Sequence, residues 1–426
     1  MKVAFYTLGC KVNQYETNGM IQKFQENGYE IVDFEEFADI YIINTCTVTN
    51  IADRKSRQFL RHAKKNNPNA IVVAVGCYVK VSKDTLENIP EISLCLDNDE
   101  KINIVEKVEE LIKENNISKN ESNNKYCEFG EVTYTEKTRA VIKVQDGCDM
   151  FCSYCIIPYA RGRVRSRKPQ NVINEITKIA NNGIKEVVIT GIHVASYGKD
   201  FEEKYDLIDL LLEINDIKGI ERIRIGSIEP KLFSEGNLNR ISKVTKLAHH
   251  FHLSLQSGCS EVLKRMNRKY TAEEFETIVK NIRNTFNDVI LTTDIIVGFP
   301  GETEEEFNCT YEFLKKIKFY KTHVFKYSER KGTLASKMPN KILPEEKENR
   351  SNCLLELSDK NEKEYLEKYI GKIVEVLFEE GKNDFYQGHT DNFLMVKVKS
   401  VKDISNQILE VSIEDIDNLE LYGNVI

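Results

Sequence analysis

Apolar positions along this chain follow two rhythms, and the rhythm changes by segment. Val3 to Leu8 is a short apolar run that predicts a strand, and Met20, Ile21 and Phe24 then share a helical face. Ile40 to Ile43 and Ala70 to Val75 predict two more strands, with a helix over Ile51–Asn67 between them. The run at 70–75 is too uniformly apolar to have a wet face, so residues 1–113 read as the βαβ pattern of a buried parallel sheet. Glu114 to Lys125 is polar and nearly free of apolar residues, which predicts a linker over 114–133. From Arg139 a second series begins, with strands expected at 139–145, 186–191, 222–228, 251–256, 290–297 and 322–327. Helical patterns fall between them at Gln170–Asn181, Leu207–Ile214, Ala272–Asn284 and Glu304–Lys316, which predicts a partial barrel of six β/α units within 134–366. A helical connector is expected over 344–369. In 367–426 the runs Ile373-Val374-Glu375-Val376 and Leu394 to Val398 alternate at period two and predict a small antiparallel β-barrel. The expected fold is therefore α/β in three domains: a parallel sheet, a partial barrel and a closed terminal barrel.

Chemistry enters at the first barrel loop. Cys148, Cys152 and Cys155 are spaced C-x₃-C-x₂-C behind Gly147. Structural zinc closes a tetrahedron with four ligands, and no fourth Cys or His follows at short spacing. Three thiolates instead suit three irons of a [4Fe–4S] cluster, leaving one iron open to a substrate or cofactor. A second set is spread over the first domain. Cys10, Cys46 and Cys77 each follow a predicted strand, beside Gly9, Thr45 and Gly76. Ligands gather at the carboxyl edge of a parallel sheet, so the pattern predicts a second three-thiolate cluster. Cys95, Cys127, Cys259, Cys309 and Cys353 read as small apolar fillers or surface thiols.

Loops after barrel strands supply further candidates. Gly191, Ser227, Glu229, Gln256, Asp294 and Gly298, with Tyr154 inside the cysteine loop, are candidate cofactor contacts. For Glu229, Gln256 and Asp294 the equal alternative is a polar cap on a strand. Gly298 to Glu302 has the glycines and proline of a tight turn. His249, His250 and His252 look like a metal set, but they lie at a strand whose side chains alternate faces.

The net charge is −7, which argues against a general nucleic-acid binder unless basic residues cluster. They do. Arg54, Arg57, Arg61 and Lys64 recur along one helix face, and Arg161, Arg163, Arg165 and Arg167 alternate after the cysteine loop. Both sets are candidate RNA contacts. The first set could equally be a solvated helix face, and the second could pair with acids at the barrel mouth such as Glu229. From Ile370 onward five Lys face eleven Asp and Glu, a poor charge balance for RNA. The chain start lacks a signal-peptide pattern and no apolar run reaches spanning length, so a cytoplasmic protein without a membrane partner is expected.

The cysteine loop, with Ser153-Tyr154 as its filler, resembles the radical S-adenosylmethionine (SAM) enzymes. Leu8 to Glu16, Asn44 to Val48 and Val75-Gly76-Cys77 resemble the methylthiotransferases of that superfamily. So do Arg161-Gly162-Arg163 with Ser166-Arg167, Thr190-Gly191, Leu255 to Gly258 and Ile296 to Glu302, in order along essentially the whole chain. The resemblance implies two [4Fe–4S] clusters: an auxiliary one on Cys10, Cys46 and Cys77, and a SAM-binding one on Cys148, Cys152 and Cys155. It also implies SAM as cofactor, an RNA-binding TRAM domain at the end, an external one-electron donor and a sulfur source. Gly9-Cys10-Lys11-Val12-Asn13-Gln14 looks like the branch that methylthiolates C2 of threonylcarbamoyladenosine in tRNA, beside the anticodon. Alternatives are the branches acting on isopentenyladenosine in tRNA or on a ribosomal protein, and a two-cluster redox or scaffold protein.

Overall fold

The computed structural model describes residues 1–113, 126–135, 138–382 and 384–426. Strands β1 (Lys2–Thr7), β2 (Glu30–Val32), β3 (Ile40–Thr45), β4 (Ile71–Gly76) and β5 (Leu94–Leu96) form a parallel sheet in the order β2-β1-β3-β4-β5. Helices α1 (Lys11–Glu26) and α4 (Ile104–Ile112) cover one face, and α2 (Asn50–Asn66) and α3 (Cys77–Glu87) the other. Two cores result. Met20, Phe24, Val105 and Val108 pack on Val3, Ile42 and Val73, while Leu60, Ala63 and Leu86 pack on Tyr41, Ile43 and Val72. β3 and β4 have apolar partners on both sides, which is why their sequences lack polar alternation. β2 and β5 escape the sequence pattern because each is only three residues long.

The second unit contains β6 (Arg139–Asp146), β7 (Arg165–Ser166), β8 (Glu186–Gly191), β9 (Arg222–Ile225), β10 (His250–Gln256), β11 (Ile290–Val297) and β12 (Lys321–Lys326). β6, β8 and β9 pair in parallel, as do β10, β11 and β12. Parallel bridges Ile223–Leu247 and Ile228–Leu253 join the two sets into an open six-stranded barrel. β9 is shorter than the expected 222–228 because the chain leaves the ladder at Gly226 and touches β10 again only at Ile228. Ile142, Ile189, Ile223, Phe251, Leu253 and Ile295 face the outer helices. The alternate positions, among them Lys143, Arg224, His250, His252 and Asp294, turn to a polar lumen.

A long helix, Pro344–Leu366, leads to β13 (Ile373–Phe378), β14 (Phe385–Thr390), β15 (Met395–Lys399), β16 (Ile408–Asp417) and β17 (Glu420–Val425). They close a barrel in the order β13-β14-β15-β17-β16. It is not wholly antiparallel: β17 hairpins with β16 and then closes against β15 in parallel. This barrel plugs the N-terminal end of the larger one. Phe393, held at φ 74°, stacks on His250 (4.9 Å) and His389 (4.6 Å), with the Arg224 guanidinium 4.6 Å from its ring centre. Arg222 donates to the His389 carbonyl at 3.0 Å, and buried Glu186 accepts from Arg224 at 2.9 Å.

Of the expected linker, 114–125 lies outside the described residues. The rest runs along α1 and the barrel. Val132 N donates to Glu175 (2.8 Å), Thr133 N to Gln22 (2.9 Å), and Phe129 fills the space beside Gly19, where a Cβ would stand 2.7 Å from its ring. Among the described residues no helix is long and apolar enough to cross a membrane.

Candidate active site: two thiol triads joined by a buried carboxylate

Cys10, Cys46 and Cys77 follow β1, β3 and β4 directly, at one edge of the first sheet. The turns there need glycine. Gly9 (φ 99°) lies so close to Cys46 that a Cβ would come within 2.8 Å of its Sγ, and a Cβ on Gly76 (φ 105°) would meet Asn44 Oδ1 at 2.8 Å. Asn13 ties the edge together by donating to Leu8 O (2.7 Å) and Thr45 O (3.1 Å). Burial pushes the Cys46 thiol up to about 11, and neighbouring Cys77 and Cys10 push the same way, so the three sulfurs sense one another.

Cys148, Cys152 and Cys155 occupy the loop after β6. A Cβ on Gly147 would strike Arg163 O at 1.8 Å, so only glycine permits the loop to fold back. Cys148 N donates to Gly162 O (3.0 Å), Asn267 Nδ2 to Phe151 O (2.9 Å), and Ser153 Oγ to Arg265 O (2.9 Å). Burial raises Cys148 to about 11 and Cys155 to about 12, with Cys152 adding to both. Such thiols stay protonated until a metal displaces the proton.

Among the described residues no three His, Cys, Asp or Glu side chains converge as for a single ion. A polynuclear cluster takes one thiolate per iron and spreads its ligands wider. The donor sets fit that group: free thiols in threes, each triad faced by one buried guanidinium. Arg161 Nε donates to Cys77 Sγ at 3.1 Å, and Arg268 Nη1 to Cys152 Sγ at 3.4 Å.

Arg161 is also the joint between the two triads. It ends a short helix, Ile157–Arg161, that starts just after Cys155, yet its side chain lies under the first sheet. Glu16 on α1 receives it at 2.8 Å, together with Lys101 (2.5 Å) and Lys143 (2.7 Å); all four are buried. Asp146 accepts from Lys143 (2.6 Å) and Arg161 (3.2 Å), and Asp99 from Arg165 (2.8 Å). In this ion-paired set four cations meet three carboxylates, and the Cys77 sulfur stands where a fourth anion would. Burial alone would raise the Glu16 carboxyl; Arg161, Lys101 and Lys143 outweigh it and hold it well below the usual range. Asp146, under the same opposed influences, is held at about 2.

The arginine run is therefore not the extended basic face expected. Only Arg165–Ser166 is strand, and Arg161, Arg165 and Arg167 are buried. Their partners are Glu16, Asp146, Asp99, Glu128 and Glu175 rather than Glu229. Arg163 alone of the four is exposed, beside Asp149 (3.2 Å) and over the Phe151 ring (4.8 Å). On α2, Arg54 and Arg61 are exposed, Arg57 is half-buried and donates to Tyr78 OH, and Lys64 caps Ala70 O (2.7 Å) and Pro68 O (3.2 Å).

The candidate cofactor contacts separate. Glu229 is buried and holds Arg268 at 2.8 Å, while its Oε1 has no hydrogen-bond partner. Ser227 lines the lumen cavity, and Gly191 packs so tightly on Gln145 that a Cβ would meet its Oε1 at 2.9 Å. Gln256 ends β10 with φ 74°, a strained value for a non-glycine residue. Tyr154 packs on the cluster of Met266, Phe299 and Tyr327. Asp294 pairs with His252 Nε2 at 3.1 Å. Gly298 turns away from the loop edge: its N–H donates to Glu302 (2.7 Å) and a Cβ would strike Lys347 Cγ at 2.3 Å. The three histidines have protein partners. His250 and His252 share the Thr292 hydroxyl at 3.1 and 3.0 Å, and His249 reaches Asn287 O at 3.2 Å. Arg268 and Glu16 were not anticipated: Arg268 lies outside the quoted motifs, and Glu16, though it closes the first of them, finds its partners at positions 101, 143 and 161.

Comparison with known proteins agrees with this geometry. Residues 142–314 match the Radical SAM superfamily, and residues 2–97 match Uncharacterized protein family UPF0004. A radical SAM methyltransferase from Kitasatospora setae, TsrM, shares the fold with a TM-score of 0.56 and 16% identity, over 76% of this chain and 72% of that one. The architecture and the cysteine loop thus define a radical SAM enzyme, a class that uses S-adenosylmethionine and a [4Fe–4S] cluster. The threonylcarbamoyladenosine tRNA methylthiotransferase MtaB of Bacillus subtilis (strain 168) is 40% identical over 96% of this chain and 93% of its own. A tRNA-2-methylthio-N(6)-dimethylallyladenosine synthase of Clostridium tetani (strain Massachusetts / E88) is 34% identical over 98% and 94%. The chain belongs to the radical SAM methylthiotransferase family.

Replacing Glu16 by Gln removes the carboxylate of buried Lys101 and leaves Lys143 and Arg161 with Asp146 alone, at an expected cost of about 3–5 kcal/mol. Glu16 and Asp146 have lowered folded pKa values, so their contribution is present above the ordinary carboxylate range and is lost as pH falls toward about 2. Thermal melts should therefore show a large gap between wild type and Glu16→Gln near neutral pH that closes on acidification. A gap independent of pH would contradict this assignment.

Proposed function

We propose that the chain methylthiolates C2 of N6-threonylcarbamoyladenosine beside the anticodon of tRNA, in the cytoplasm. The observation that carries this reading is full-length similarity to an enzyme named for that substrate, at higher identity than to the dimethylallyladenosine enzyme, on a chain with both thiol triads in place. Cys148, Cys152 and Cys155 would hold the SAM cluster, and Cys10, Cys46 and Cys77 a second, auxiliary [4Fe–4S] cluster. An external one-electron donor and a sulfur source complete the set. We take 1–113, 114–133, 134–366 and 367–426 as working boundaries of the sheet domain, linker, barrel domain and TRAM domain.

C2 of a purine carries an unactivated C–H that acid–base catalysis does not replace. When bound, the clusters and SAM supply the one-electron chemistry and the sulfur. The protein's own share is placement and exclusion of water. Arg268, anchored by Glu229, puts positive charge on Cys152, and Arg161, anchored by Glu16, puts it on Cys77. Because Arg161 follows the Cys155 loop so closely, the same contact fixes the spacing of the two triads.

Incubating the iron-loaded, reduced protein with SAM and tRNA should convert N6-threonylcarbamoyladenosine to its 2-methylthio form, read by nucleoside mass spectrometry. Reaction with tRNA lacking the threonylcarbamoyl group should fall by orders of magnitude, because polar groups built to meet it are left unpaired. Each triple Cys→Ala variant should retain about four of about eight irons. Equal conversion of isopentenyl-modified tRNA would refute the substrate assignment.

Phosphate contact then falls to the exposed cations Arg54, Arg61 and Arg163. Arg54→Glu with Arg61→Glu should weaken tRNA binding and flatten its salt dependence. Charge reversal at Lys397, already paired with Glu420 at 2.6 Å, together with Lys399 should do less. A filter-binding salt titration reads both; a larger loss from the terminal-barrel pair would reverse the assignment.

A further inference from the structure

The barrel lumen holds a cavity of about 500 Å³ whose lining includes none of the six candidate ligand cysteines. It runs from Lys11 and Ser227 down to His389 and Phe393 of the terminal barrel. The size suits a modified nucleoside rather than a water chain. Its wall mixes cations, imidazoles and acids. Lys11, Arg224 and Lys321 line it with His250, His252 and His323. Of the acids on the same wall, Glu362 Oε1 accepts from Lys321 at 3.1 Å and Glu420 from Lys397 at 2.6 Å, while the wall cation Arg224 is itself held by Glu186 at 2.9 Å. Four buried polar atoms of wall residues have no hydrogen-bond partner: Arg224 Nη1, His250 Nδ1, His389 Nδ1 and Glu362 Oε2. A buried polar atom without a partner costs free energy unless a guest supplies one. The cavity thus offers an anionic, polar guest the unpartnered nitrogens of Arg224 and His250, with the Lys11 ammonium on the same wall.

Position fixes which anion. Lys11 immediately follows Cys10 and lines the cavity with His250. On a purine, C2 and the N6 substituent flank N1 on one edge. For a base presented with C2 toward the thiol triad of Cys10, the cation next to that triad in sequence is Lys11, which lines the cavity.

We propose that this cavity is the receptor for the N6 substituent, with Lys11 and His323 engaging the carboxylate of the threonylcarbamoyl group and the His250–His252 wall meeting its polar chain. This rests on the substrate reading above and adds the residues that select the substrate. Lys11 enters from α1 of the first domain and His323 from β12 at the open edge of the barrel, so the receptor forms only when the two domains are docked.

The test uses holoenzyme with SAM and a synthetic anticodon stem–loop RNA. The target adenosine carries the threonylcarbamoyl group as the free acid, as its methyl ester, or not at all. The ester removes the charge and leaves the RNA phosphates unchanged. The wild type should bind the acid about ten- to a hundredfold more tightly than the ester. In Lys11→Gln that ratio should fall to within about threefold, through weaker binding of the acid alone. His323→Gln, remote from every motif cysteine in sequence, should lower the ratio in the same direction, with iron content confirming that both variants are loaded. An undiminished ratio in both variants, or no acid preference in the wild type, overturns the receptor while leaving the substrate reading intact. Acid and ester both binding no better than unmodified adenosine overturns the substrate reading, and the receptor with it.

Discussion

One buried carboxylate holds this structure in its working form. Glu16 lies on the helix that begins at Cys10, and it receives Lys101 from the first domain and Lys143 and Arg161 from the barrel. Buried ion pairs seldom stabilise a fold more than well-packed apolar residues would, but breaking one is costly. The account here is that the network is kept for geometry. Without Glu16, the only carboxylate Arg161 retains in this set is Asp146, and it loses the contact that aims its Nε at Cys77.

The same logic shapes the rest of the lumen. Glu186 gathers Arg222 and Arg224 at the N-terminal end, where Phe393 of the terminal barrel stacks over the result. Arg268, held by Glu229 and the Ser254 carbonyl, plays at Cys152 the part that Arg161 plays at Cys77. Charge is thus layered along the barrel as buried ion pairs, so the net charge of the chain says little about its interior.

Much of this was legible in the sequence, because it is local. The apolar runs that became β1, β3 and β4, the cysteines at their ends and the spacing of Cys148, Cys152 and Cys155 all lie within a few residues of one another or repeat at a strand's period. What escaped is non-local. Arg161, Arg165 and Arg167 read as a basic face because their partners come from positions 16, 99, 146, 128 and 175, spread over two domains. A charge pattern shows cations; burial and pairing are tertiary facts. The parallel β15–β17 closure was hidden for the same reason, since alternation marks a strand and says nothing of its neighbour's direction. Strand alternation puts His250 and His252 on one face, and that face is the one turned into the cavity.

The claim that Glu16 and Arg161 lock two cluster sites into one geometry is tested most directly by the distance between those sites. In reduced, iron-loaded protein, pulsed EPR of the two paramagnetic clusters should give a single narrow distribution for the wild type. In Glu16→Gln, with both clusters retained by iron assay, the account predicts a broadened or shifted distribution. An equally narrow distribution at the same distance in the variant would contradict it.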